Sequence, residues 1–258
     1  MLRLTFNVGA IVYAIMSPVF AFADGFIGIG ATGRTSLTTI DLLSLPALTH
    51  ADSVLAFAVA PAAFGLLELT DLVLVAPLPF GTVGLRGRAT PTWVDIEPTF
   101  MRSWPLTNSF RIGISASIRY TAAPGFTGRI AALSDIHAVI ILDSLWSASC
   151  LVTDAVRLGR PFESPLPGPT IHAALARGIG DYVASANIAL ASGQSIGLLL
   201  EVAHTNPTVR WRASFCTAPF TLGGAAAIPL HAWLSVALAL SHTEHLGFRT
   251  VLGVEFVP

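Results

Sequence analysis

The segment Phe110 to Tyr120 carries the clearest pattern in the chain. Phe110, Ile112, Ile114, Ala116, Ile118 and Tyr120 share one parity, while Arg111, Gly113, Ser115, Ser117 and Arg119 share the other. Side chains along a strand point alternately to opposite faces, so the segment predicts a strand with an unbroken apolar face and a face of small polar groups and arginines. A helix would scatter both sets around its circumference.

Hairpins with the same alternation flank it. A two-residue turn at Pro91-Thr92 sets Val83 opposite Phe100, Leu85 opposite Pro98, Gly87 opposite Ile96 and Ala89 opposite Val94. On the other face the same register brings Arg86 to Glu97 and Arg88 to Asp95, so one alignment satisfies both faces. Further on, Ile196–His204 and Val209–Thr217 predict a second hairpin in which Val202 faces Val209, Leu200 faces Trp211 and Glu201 faces Arg210. The last hairpin has Leu230, Ala232, Leu234, Val236, Leu238 and Leu240 on one face. Leu246, Phe248, Thr250, Leu252, Val254 and Phe256 match them on the return strand, with Ser241–His245 between as a loop.

Elsewhere the signal is weaker. Gly25–Gly30 predicts a glycine-rich first strand, Thr35–His50 suits either a strand or a helical turn, and Ser53–Ala60 and Leu72–Val75 are apolar with little alternation. Phe126–Ala132, Ile136–Val152 and Tyr182–Leu190 predict further strands. The four prolines of Arg160–Pro169 cannot donate to a sheet ladder, so that stretch predicts a long loop, lying outside or folded inward. The credible segments give about twelve antiparallel strands, with ten or fourteen as alternatives if the sheet closes on an even number.

Composition sharpens this picture. Only 11% of residues are charged and 53% are hydrophobic, whereas a soluble domain carries about 25% charged residues. A bundle of spanning helices needs stretches of about 20 uncharged residues. Charges recur too often for that; the one long gap, Arg212 to Glu244, contains Pro219, Gly223, Gly224 and Pro229. A barrel accepts the same charges because every second residue faces its interior, and about ten residues is the length of a tilted strand that crosses a membrane. The polar face, built from Gly, Ser, Ala, Thr and arginine–carboxylate pairs, suits an enclosed lumen better than the water-facing side of a soluble β-sandwich. The net charge of −1 gives no basic excess for nucleic acid.

Residues 1–23 predict a cleaved export signal, with Arg3, an apolar run from Val8 to Phe22, and Ala21-Phe22-Ala23 before Asp24. The barrel domain would then be 24–258. Cys150 and Cys216 would lie in an oxidising compartment, free or bridged.

With an export signal at one end and the amphipathic Gly247–Phe256 segment at the other, the chain resembles Gram-negative outer-membrane β-barrels. Members of that class commonly close on an amphipathic strand with a terminal aromatic. This chain offers Phe256 but continues through Val257 and Pro258. The resemblance is one of class and covers the mature chain as a pattern. It implies outer-membrane localisation, membrane lipid and small solutes as partners, no cofactor, and a porin-like channel.

The expected lumen-lining set is Arg86, Arg88, Asp95, Glu97, Arg111, Arg119, Glu201, Arg210, Arg212, Arg249 and Glu255. Arginines outnumber carboxylates, and the guanidinium fork binds carboxylates or phosphates bidentately, so small anionic solutes are the sharper expectation. Two other readings compete: a non-conducting barrel blocked by these same pairs, and a lipid-modifying hydrolase using Ser241, His242, Glu244 and His245, if those groups come within hydrogen-bond reach. Asp135-x-His137 and His50-x-Asp52 each lack a third metal ligand. Gly193-Gln-Ser195-Ile-Gly197 has the letters of a nucleophile elbow, but between two strands rather than before a helix.

Overall fold

The computed structural model describes residues 45–48, 55–63, 69–90, 92–159, 169–191, 195–206, 208–244 and 247–256. The expected export signal, the glycine-rich strand at Gly25, most of 160–169, and His50 and His245 lie outside these residues.

Among the described residues the chain forms fourteen antiparallel strands. They are β1 (Leu55–Ala63), β2 (Leu69–Leu78), β3 (Gly81–Thr90), β4 (Trp93–Pro105), β5 (Phe110–Ala122), β6 (Arg129–Ile141) and β7 (Trp146–Gly159). They continue as β8 (Thr170–Ile179), β9 (Tyr182–Ala191), β10 (Gly197–Thr205), β11 (Arg210–Thr217), β12 (Phe220–His231), β13 (Leu234–Thr243) and β14 (Gly247–Phe256). Each strand pairs with the next, and β1 pairs with β14, so the sheet closes into a barrel with no free edge. In hydrocarbon an open edge would leave backbone N–H and C=O groups unpaired, and closure removes that penalty. The count is fourteen rather than about twelve. The two strands hardest to see are β8 and β12, where runs such as Gly223-Gly-Ala-Ala-Ala227 place small residues on both faces and blur the alternation.

The faces divide by parity. On β5, Gly113, Ser115, Ser117 and Thr121 are buried, while Ile114, Ile118 and Tyr120 are exposed, Ile118 by 56%. The same inversion runs round the barrel: Ala237, Ala239, Ser241, Val251 and Glu255 are buried, while Leu238, Leu240, Leu252 and Phe256 are exposed. A soluble domain would place those leucines inside; here the large apolar side chains form the outer surface.

The β3–β4 register has Val83 at Phe100, Arg86 at Glu97 and Arg88 at Asp95, as the alternation and charges predict. Three expectations need correction. On β10–β11 the pairing is Leu200 with Phe215, Val202 with Ala213 and Thr205 with Arg210, so Glu201 faces Ser214, not Arg210. Asn206 tightens the turn by accepting from the Thr208 N–H (2.9 Å), which carries the ladder closer to the loop than expected. The stretch 136–152 is two strands, broken where the Asp143 carboxylate accepts from the N–H groups of Leu145 (2.6 Å) and Trp146 (2.7 Å). Finally, β13 runs through Thr243, so Ser241 and His242 belong to a strand, and Leu230 belongs to β12.

The two ends differ. Short turns, Pro79–Phe80, 106–109, 142–145, 180–181, 206–209 and Ala232–Trp233, close the end where β1 begins and β14 stops. At the other end β7 stops at Gly159 and β8 starts at Thr170, the widest sequence gap between successive strands. Outward aromatics gather near both rims: Trp104, Trp146, Tyr182, Trp211, Trp233 and Phe256 at the short-turn end, and Tyr120, Phe126, Phe220 and Phe248 opposite. With a rise of ~3.3 Å per residue and a tilt of about 40°, Phe248 and Phe256 on β14 lie roughly 20 Å apart along the axis, close to the height of a lipid-facing band.

The thiols occupy opposite faces: Cys150 is exposed on the outer surface and Cys216 is buried facing inward, and both are free. In the folded protein, a membrane-permeant maleimide is therefore expected to label Cys150 and spare Cys216, read by peptide mass after digestion.

Candidate functional site: the barrel interior

The interior is built from the inward parity of every strand, and its charges fall on two walls. On the first, Asp95 of β4 lies opposite Arg88 of β3 and takes both Arg119 Nε hydrogen bonds (2.9 Å to each oxygen), with Thr121 Oγ1 at 3.3 Å. Arg86 and Glu97 face each other one step along. On the second wall, Arg212 Nε sits 3.9 Å from Glu201 Oε1, with side chains 1% and 0% exposed. Ser185 Oγ donates to Glu201 Oε2 at 3.0 Å. Arg210 lies 3.9 Å from Glu255, and Arg249 is buried opposite Ser241. Arg111 lies near the short-turn end, with Pro105 and Val139 as its cross-strand neighbours. Between the walls, β7 to β9 present Ser147, Ser149, Ala174, Ala176, Ser185 and Asn187.

The structure adds a group that alternation alone does not reveal. Asp135 accepts from Ser115 Oγ (2.8 Å) and from the Asp154 N–H (2.8 Å), and Asp154 is ion-paired with Arg157. The β6–β7 register shifts between Ser134 and Ile136, and Asp154 sits there with φ at 53°, a left-handed conformation that aspartate tolerates better than most residues. The bulge turns Asp154 toward Asp135; a strict period of two would have placed it on the outer face.

The second feature absent from the strand pattern is a turn lodged inside the barrel against the wall formed by β5 to β8. Leu45 to Leu48 form a turn closed by Leu48 N–H donating to the Leu45 carbonyl at 2.9 Å. Leu45 is 2% exposed and Ala47 is fully buried. The turn sits on one row of inward positions, Gly113, His137, Leu151 and His172, which are successive cross-strand partners from β5 to β8. Ala47 N–H donates to His137 Nδ1 at 3.3 Å, and Leu45 packs with Leu151 and Ala174. At Gly113 a Cβ would run into the backbone of Pro46 and Ala47. Glycine is thus required by close approach of two backbones.

The hydrolase reading finds its first two residues apart: Ser241 is buried inside, while the His242 ring packs on the outer face against Phe248 at 4.8 Å. Gly197 opens β10, so no helix follows Ser195. Among the described residues no three His, Cys, Asp or Glu side chains converge as a metal-binding set would.

No protein-family model and no curated protein sequence matches the chain. Solved structures do match in fold. The Ralstonia pickettii toluene transporter TbuX aligns with a TM-score of 0.60 at 9% identity, over 91% of this chain and 99% of its own. The CymD monoaromatic hydrocarbon channel aligns at 0.59 and 11% identity, over 92% and 97%. The Acinetobacter baumannii outer membrane protein Omp33 aligns at 0.52 and 10% identity, over 80% and 97%. By architecture the chain is an outer-membrane type β-barrel.

Proposed function

We propose that the protein is an outer-membrane channel for small solutes whose passage is closed, in this state, by the Leu45–Leu48 turn. The observation that carries this reading is a closed barrel, apolar outside and polar inside, with the turn seated inside it on the β5–β8 wall through contacts that include the Ala47–His137 hydrogen bond and the close approach at Gly113. A barrel meant only as a membrane plate has no need of a glycine fitted to a turn. The short-turn end, which holds β1's start and β14's end, then faces the periplasm, and the 160–169 side faces outward. An export signal at residues 1–23 would deliver the chain there.

Solute class follows from the walls. Arg86, Arg88, Arg111, Arg119, Arg157, Arg210, Arg212 and Arg249 still outnumber Asp95, Glu97, Asp135, Asp154, Glu201 and Glu255 on the inward face, a small excess that supports a preference for anions. A second reading, small apolar solutes, is favoured by the apolar seat of Leu45, Leu48, Leu151 and Ala174, and by the neighbours described as toluene and monoaromatic hydrocarbon carriers. Reversal potentials in planar bilayers under a salt gradient test the first: the expected sign is anion-selective, and cation selectivity overturns it. Uptake of a radiolabelled monoaromatic by cells carrying the protein, without anion current, would support the second.

A further inference from the structure

The outward faces of the described strands are almost free of formal charge, and the two exceptions share one arrangement. Arg102 on β4 has its guanidinium carbon 5.3 Å from the centre of the Trp104 ring. Arg177 on β8 has its guanidinium carbon 5.1 Å from the centre of the Trp146 ring, on its direct cross-strand partner. Both arginines are exposed, both lie within the last turn-ward residues of strands running to the short-turn rim, and neither meets a carboxylate among the described residues. Their other outward neighbours, Ile114 beside Arg102 and Ala184 beside Arg177, are apolar.

We propose that Arg102 and Arg177 are docking points for the phosphodiester headgroups of phospholipids in the leaflet at the short-turn end. This rests on the membrane reading above and names which lipid atoms the barrel holds. A cation on the lipid-facing surface is costly at mid-depth and tolerated only near the interface, where an anion can meet it. The tryptophan ring holds the guanidinium by cation–π attraction, which leaves N–H donors to meet an anion from the lipid side. Those donors match two oxygens of a phosphodiester. Acyl chains below the phosphate would then lie on the neighbouring Ile114 and Leu175 surface, both of which are exposed. Free phosphate could use only the guanidinium edge and would leave that apolar surface bare, so the occupant is a lipid.

Native mass spectrometry of the full chain, folded in micelles containing dioleoylphosphatidylglycerol, reads the retained lipid directly. Wild type is expected to keep lipid adducts. Arg102→Gln and Arg177→Gln are each expected to lower them several-fold, and the double variant to approach background, while Arg129→Gln at the opposite rim retains them. Millimolar inorganic phosphate should not strip the adducts. Unchanged adducts in the double variant, equal loss in Arg129→Gln, or displacement by phosphate would each overturn the proposal. If the double glutamine variant does not fold, Arg102→Lys/Arg177→Lys carries the test: reduced retention supports the fork-and-stack geometry, and wild-type retention refutes it. Insertion is read separately by heat-modifiable gel mobility in phosphatidylglycerol vesicles. A wild type that fails to insert sinks the membrane reading; equal insertion with equal lipid retention sinks only this inference.

Discussion

Replacing Gly113 by valine is expected to unseat the Leu45–Leu48 turn and raise the permeability of the barrel. The Cα of Gly113 lies against the backbone of Pro46 and Ala47, so an added Cβ has no side-chain tip to push aside. Forcing extra methyl groups into a packed contact costs typically about 1–3 kcal/mol. At about 1.4 kcal/mol per tenfold, that shifts the seated-to-unseated ratio by about 5- to 140-fold. The ladder of β5 does not depend on this side chain: its partners on β4 and β6 are held by backbone hydrogen bonds. Swelling of proteoliposomes in small sugars should therefore speed up by a comparable factor, while the heat-modifiable gel shift of the folded barrel stays in place. His137→Leu supplies an independent check, since it deletes the acceptor of the buried Ala47 N–H and leaves that donor unpaired, a penalty of about 1–3 kcal/mol. Faster swelling in both variants supports a turn that closes the channel. Folded variants with wild-type swelling rates would mean the turn does not control passage.

The sequence announces the barrel far more plainly than its contents, and the reason is periodicity. A strand with lipid on one side and a lumen on the other must alternate, and β5, β13 and β14 do so without interruption. Register is legible only where something breaks the symmetry of that alternation. On β3–β4, oppositely charged residues on the inner face and apolar ones on the outer face fit one alignment, and the structure has it. On β10–β11 an even slip leaves every side chain on its own face, so the apolar pattern is equally satisfied by several alignments, and the Asn206 turn decides among them. Strands β8 and β12 escape notice because alanine and glycine suit either side. Asp154 is displaced by a bulge that no periodic template contains. The Leu45–Leu48 turn is the least legible feature. Its leucines read equally as strand or helix, and its seat is assembled from β5 to β8, with the His137 contact made 90 positions along the chain. Among the expected lumen residues, the β3–β5 group and the β10–β14 group come together on separate walls, and Arg111 lies nearer the short-turn end.

The Glu201–Arg212 pair should dominate the stability of the second wall, and in a strongly non-additive way. Both side chains are removed from water, at 0% and 1% exposure, and the 3.9 Å separation is loose for a hydrogen bond. Desolvating two charges is expensive, and their attraction at that distance offsets it only in part, so the pair as a whole adds little. Removing one partner is different, because the remaining charge stays buried. Glu201→Leu, which takes this carboxylate from the buried Arg212 guanidinium, should cost about 3–5 kcal/mol, and Arg212→Met a similar amount. The double variant should fall within about 1 kcal/mol of wild type, the residue being the Ser185 hydroxyl that has lost its carboxylate. Urea titration in vesicles, followed by tryptophan fluorescence, measures all four corners of this cycle. A double variant as unstable as the sum of the two singles would show that the charges act on separate partners rather than on each other.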